Sequence, residues 1–130
     1  MSLVRFEPWS LADRIAGENH PSWVPAVDIF EEKDRFVVRA DVPGVDPADI
    51  EVSMNKGVLS VAGTRHREDR SEVHGVSRYE RASGYFLRRF TLPDTANADD
   101  IKARSNNGIL EISIPKQAQA LPRRISVEAA

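Results

Sequence analysis

Cysteine is absent from the 130-residue chain, and its absence removes disulfide frameworks, thiolate zinc sites, iron–sulfur clusters and thiol catalysis together. A reducing compartment agrees with this. Long apolar runs are missing too: nothing approaches the roughly 18 residues of a membrane span, and the first residues lack the basic-then-apolar layout of a secretory signal. A cytoplasmic location without stable membrane insertion is expected. No charge of one sign prevails, since 18 basic residues face 20 acidic ones for a net charge of −2. Nucleic acid is therefore not an expected partner. The three histidines, His20, His66 and His74, fit no two-histidine metal motif, and there is no Gly-x-Ser-x-Gly elbow or phosphate-cradling glycine loop. Nothing in the spacing of the carboxylates selects a catalytic pair. The chain is expected to have no catalytic residue, no metal and no cofactor.

What is present is a 41% hydrophobic, 29% charged chain, the balance of a folded domain, and at about 150 residues per domain its length allows one core. It divides into an arm over residues 1–25, a central domain over 26–116 and a tail over 117–130. The arm sets Leu3, Val4, Phe6, Trp9, Leu11, Ile15 and Trp23 among Pro8, Gly17, Pro21 and Pro25. Pro8 suits a helix start and Gly17 its exit, so a short helix over 8–16 would gather Leu11, Ala12 and Ile15 on one side. Two roles are open: packing on its own domain, or a flexible, sticky arm that contacts other chains. Apolar aromatics spaced by prolines make a poor regular element, which favours the second. Hydrophobic attraction is non-directional, so such an arm needs no specific pocket to hold any chain that exposes apolar surface.

From Ala26 to Lys116 the pattern has period two. Phe36, Val38, Ala40 and Val42 alternate with Arg35, Val37, Arg39 and Asp41, the signature of a half-buried strand, and Pro43-Gly44 ends it. Ile50, Val52 and Met54 alternate with Glu51, Ser53 and Asn55, then Asn55-Lys56-Gly57 turns the chain into 58–64. Further strands are expected near 84–92, 100–105 and 109–114. This is the arithmetic of an all-β, immunoglobulin-like β-sandwich. Asp49-Ile50 leads to Gly57-Val58-Leu59 as Asp100-Ile101 leads to Gly108-Ile109-Leu110, an echo best ascribed to shared turn geometry. Between the two units, residues 65–83 form a long charged excursion, in which Val73 to Glu80 alternates enough to be a strand able to pair with another subunit's sheet edge. Its interleaved arginines and carboxylates read as a solvated face more readily than as a nucleic-acid patch.

Four features together resemble the small heat-shock proteins built on an α-crystallin domain. They are the strand ending at Pro43-Gly44-Val45; Phe86-Leu87-Arg88-Arg89-Phe90-Thr91-Leu92-Pro93; Ala103-Arg104-Ser105-Asn106-Asn107-Gly108-Ile109-Leu110; and Ile125-Ser126-Val127 following Pro122. The resemblance implies an ATP-independent holdase in the stress response. Its partners would be partially unfolded client proteins, held by an oligomer of dimers formed by exchange of the strand in the excursion. It places Val76, Arg78, Tyr79 and Arg88 at the dimer interface. From the residues alone, one of Arg88 and Arg89 must sit on a largely apolar surface, either with its head in water or held by carboxylates at a subunit contact.

In an extended tail, Ile125 and Val127 point the same way and suit docking into a groove. Ile50, Val52, Met54, Ile101 and Ala103 are the candidates for the receiving groove, which the resemblance supports, or else they fill the sandwich core. The alternatives to a holdase are a co-chaperone module of the CS-domain type, which would not be expected to carry the tail motif or the excursion, and a ligand-binding or enzymatic sandwich.

Overall fold

Alternating apolar positions from two hairpin units face each other across the interior of the computed structural model, which describes residues 4–5, 10–68, 70, 74–118 and 124–130. In chain order the elements are β1 (Val4–Arg5), α1 (Leu11–Arg14), β2 (Val27–Glu31), β3 (Arg35–Asp41), β4 (Ile50–Asn55), β5 (Val58–Arg65), β6 (Gly84–Thr91), β7 (Lys102–Asn106) and β8 (Ile109–Pro115). Among the described residues they form two four-stranded sheets, ordered β1-β4-β5-β6 and β2-β3-β8-β7. Every pairing is antiparallel except β1 with β4.

The core lies between the sheets. Ile50, Val52 and Met54 of β4, Leu59 and Val61 of β5 and Phe86 of β6 meet Phe36, Val38 and Ala40 of β3 and Leu110, Ile112 and Ile114 of β8. Side chains of this size stabilise by about 1.5–3 kcal/mol each when fully buried. Gly63, within β5, permits the closest approach: a Cβ there would stand 2.5 Å from the Asp49 carbonyl oxygen and 2.6 Å from the Phe86 ring.

The sequence echo has a structural counterpart, one copy in each sheet. Each unit opens with a 3₁₀ turn, Pro47–Asp49 or Ala98–Asp100. Asp46 caps the first by accepting from the Ala48 N–H at 2.9 Å, and Asn97 caps the second by accepting from the Asp99 N–H at 3.0 Å. Each unit then turns through two residues of positive φ, Lys56-Gly57 (50° and 78°) or Asn107-Gly108 (53° and 76°), the turn whose twist matches the flanking strands. The 3₁₀ turn Ala98–Asp100 explains why β7 begins at Lys102 and not at 100.

Two expectations change. The helix over 8–16 is shorter at its start among the described residues: α1 covers Leu11–Arg14 and continues as a π-helical turn, Ile15–Asn19, so Gly17 lies inside the turn and the chain leaves at His20 with φ 51°. Residues 74–80 of the excursion form no strand in this chain. A strand needs an edge to pair with, and among the described residues no strand of the same subunit pairs with the excursion.

Candidate interaction surfaces

The described residues of the arm lie on their own sandwich. On the outer face of the first sheet, register aligns Glu51 with Ala62 and Leu87, and Ser53 with Ser60 and Arg89. Ser10 caps α1, its Oγ accepting from the Asp13 N–H at 3.2 Å. The Leu11 N–H in the first turn donates to Glu51 Oε1 at 3.0 Å. Asp13 accepts from Arg89 Nη2 at 3.1 Å, and Arg89 Nε donates to Ser60 Oγ at 3.3 Å. Within this polar frame Ala12, Ile15 and Ala62 form a second apolar cluster, with Leu11, Tyr85 and Leu87 against it.

These contacts place the client-facing candidates. Ile15 is 0% exposed, covered by its own subunit; Leu11 is half-buried beside it. Trp23 is half-buried as well: its indole Nε1 donates to the Gly84 carbonyl at 2.9 Å, and its ring sits 5.0 Å from Phe86 under the Arg65 guanidinium at 4.1 Å. Val4 lies in β1, while Leu3, Phe6 and Trp9 lie outside the described residues. The residues missed in the sequence are Ser10, Asp13, Glu51 and Ser60. The Ser10-x-x-Asp13 spacing is a legible capping signal. Glu51 and Ser60 alternate as a solvent face would, yet both are 8% exposed because the arm covers them.

The excursion holds the dimer candidates. Val76, 93% exposed, and Tyr79, 52% exposed, lie open to solvent, with Arg67 over the Tyr79 ring at 5.0 Å and Arg78 paired with Glu80 at 3.1 Å. The excursion is tied down at its base, where Arg65 donates to the carbonyls of Ala82 and of Pro43, the latter at 3.0 Å. Burial, and next the neighbouring Arg81 charge, push the Arg65 guanidinium below its ordinary pKa. Within the excursion itself is an open pocket of about 340 Å³ whose lining includes Arg65, Arg67, Arg70, Arg78 and Arg81 together with Glu68 and Glu80.

Arg88 and Arg89 occupy opposite faces of β6. Arg89 is the outward one that grips the arm. Arg88 points with Phe86 and Phe90 toward the second sheet; it is half-buried, 5.1 Å from the Phe90 ring, and donates to the Pro25 carbonyl at 3.3 Å. Among the described residues it has no carboxylate partner. Pro25 leads into β2, so Arg88 marks the end of the sandwich where β2 forms the sheet edge. There Ile29 and Phe30 are 50% and 46% exposed, an open apolar edge that the sequence reading did not single out.

At the opposite end stand β4 and β7. Ile50, Val52, Met54, Ile101 and Ala103 are all between 0% and 8% exposed and belong to the core cluster. In the single chain they therefore fill the core and do not line an open groove. The tail motif is the reverse: Ile125 is 84% and Val127 95% exposed. Among the described residues, no group of His, Asp or Glu is arranged to hold a metal ion, and no helix is long and apolar enough to cross a membrane.

Comparison with known proteins places this architecture. A family model described as the Hsp20/alpha crystallin family matches residues 28–128. Spore protein SP21 of Stigmatella aurantiaca is 39% identical over 128 residues, which cover 96% of this chain and 76% of that protein. The 17.4 kDa class I heat shock protein of Arabidopsis thaliana is 36% identical over 103 residues, 78% of this chain and 66% of that protein. Among solved structures, hspA from Xanthomonas axonopodis is similar at 56% identity and a TM-score of 0.66, over 73% of this chain and 95% of that one. A small heat-shock protein from Xylella fastidiosa, described as having a distinct high order structure, is similar at 55% identity and a TM-score of 0.69, over 83% of this chain and 99% of that one. The two packed sheets are thus an α-crystallin β-sandwich, and the chain belongs to the Hsp20/alpha crystallin family of small heat-shock chaperones, which are not enzymes.

Proposed function

We propose that this chaperone is an ATP-independent holdase that binds partially unfolded proteins and keeps them from aggregating, working in the cytoplasm as an oligomer of strand-exchanged dimers. The observation that carries the reading is the exposure of Val76, Tyr79, Ile125 and Val127 on segments without secondary structure of their own. Large apolar side chains grouped on extended segments are suited to edges supplied by other subunits. In the dimer, residues 74–80 pair with the open edge of a second copy's β2, beside Ile29 and Phe30. Arg88, half-buried with only a carbonyl and a ring as partners among the described residues, meets a carboxylate of the incoming chain. The Xylella relative's high order structure agrees with assembly beyond a dimer.

The tail adds Ile125-Ser126-Val127 as a short strand at the β4 edge, its two apolar side chains resting on the outer rims of Ile50, Val52, Met54, Ile101 and Ala103. Burying the two gains roughly 3–6 kcal/mol, and ordering three residues costs about 3–6 kcal/mol. Single tail contacts therefore open and close readily, while many per assembly hold through effective concentration. Clients meet the apolar arm residues Leu3, Val4, Phe6, Trp9, Leu11, Ile15 and Trp23, which requires the Ile15 face to lift from Ala62. The test is the light scattering of a thermally unfolding enzyme without nucleotide, with size-exclusion chromatography in parallel. Suppression together with co-elution of client in a high-mass fraction is expected. Undiminished scattering at subunit excess, or elution at the 14.5 kDa of a single chain, would reject the reading.

A further inference from the structure

A sheet edge accepts one strand at a time, and the β4 edge already has an occupant. β5 pairs with one side of β4, and β1 pairs with the other in parallel, Val4 opposite Val52 and Arg5 opposite Ser53. Further along the arm, α1 is fastened over the outer face, to β4 itself through the bond from the Leu11 N–H to Glu51 and to β6 through Asp13 and Arg89. Ile15 and Ala12 bury against Ala62. Strand and helix are thus two parts of one docked arm, separated by few residues, so loosening one weakens the hold of the other. The arm strand and the tail also share a pattern: Val4-Arg5-Phe6 and Ile125-Ser126-Val127 are both apolar-polar-apolar. Residues 124–130 of the tail are exposed and in no strand while the arm strand is in place.

Resting on the tail-docking reading above, we infer that the β4 edge is a single site contested by two segments, the subunit's own arm strand and the tail of a second copy. Docking of the arm closes the edge, and docking of a tail expels the arm. Because linkage is reciprocal, tail binding loosens the arm by the same factor as arm docking weakens the tail. The coupling joins assembly to client capture: a tail arriving at β4 frees the arm strand, removes that part of the arm's anchorage, and favours exposure of the Ile15, Ala62 and Leu87 surface. Its size follows from the docked fraction. An arm docked in about 90–99% of molecules lowers the apparent tail affinity by about 10- to 100-fold relative to an open edge.

The test measures binding of a fluorescent peptide with the sequence of residues 121–130 by anisotropy. The full-length chain carries Ile125→Ala and Val127→Ala so that its own tails do not compete. Two arm variants are made in that background: Val4→Pro, which removes a backbone donor from the arm strand, and Ile15→Asp, which undocks the helix at a point remote from the edge. Circular dichroism confirms that each variant is folded. Tighter peptide binding by about tenfold or more in both variants is expected, together with faster hydrogen exchange at residues 10–19 of the unmodified arm when peptide saturates the chain. Equal affinity in all three forms would overturn the competition while leaving tail docking intact. Weaker binding in the arm variants would also overturn it, making the arm part of the tail's site. No binding to any form, with a peptide bearing Ala at 125 and 127 as control, would overturn the tail reading and the competition with it.

Discussion

Replacing Ile125 and Val127 by alanine together separates what the tail does for its own subunit from what it does for the assembly. With 84% and 95% of these side chains exposed, the subunit loses almost no packing, and its unfolding free energy should stay within about 0.5 kcal/mol of the parent. The cost falls on docking. The two substitutions remove five carbons, and at about 0.8 kcal/mol for each buried methylene the docked tail loses about 4 kcal/mol. At about 1.4 kcal/mol per tenfold, the docking constant falls roughly a thousandfold. A contact that nets little when intact cannot survive that loss, and multivalency cannot restore it, because each repeated contact is weakened alike. Size-exclusion chromatography with light scattering should show the assembly reduced to dimers, while the thermal transition read by circular dichroism keeps its midpoint at matched subunit concentration. Unchanged mass would show that the tail does not dock. A lowered midpoint in the dissociated subunit would show that the tail stabilises its own sandwich, contrary to its exposure.

Other substitutions probe the scaffold and its contacts. Gly63→Ala forces a methyl group into a space bounded by the Asp49 carbonyl and the Phe86 ring at 2.5 and 2.6 Å; overpacking of this kind costs about 1–3 kcal/mol, and an undisturbed denaturant midpoint would contradict the packing described. Arg88→Ala should dissociate dimers, since removal of one partner from a buried pair costs about 3–5 kcal/mol; retention of the dimer at low micromolar concentration would make Arg88 a packing residue of its own chain. Asp13→Ala breaks a half-exposed ion pair worth about 0.2–1 kcal/mol, so it should raise hydrogen exchange in the arm helix without moving the transition of the sandwich; slower exchange would refute the role given to the pair.

The sequence carried the parts of the fold that depend on local pattern. Period two located the strands because Phe36, Val38 and Ala40 must face inward together, and Lys56-Gly57 and Asn107-Gly108 announced hairpins because few residue pairs accept two positive φ values in succession. Coverage by a distant segment leaves no such local mark. Glu51 and Ser60 alternate like solvent residues and are buried only because α1 lies over them. Val76 alternates like a strand residue, yet stays open because strand formation is a property of two edges and not of one segment. Ile50, Val52 and Met54 pointed equally to a core and to a groove, since a residue at the rim of a sandwich serves the core from one side and faces the edge from the other.

The ability of exposed segments to find their partners in other subunits is tested most directly by hydrogen exchange of the assembled protein, read at residues 74–80 and 125–127 over a range of concentrations. Within one chain these backbone amides have no sheet partner among the described residues. Pairing between subunits predicts slow exchange at both segments in the assembly, accelerating toward open-chain rates as dilution separates the subunits. Open-chain rates at every concentration would contradict the account.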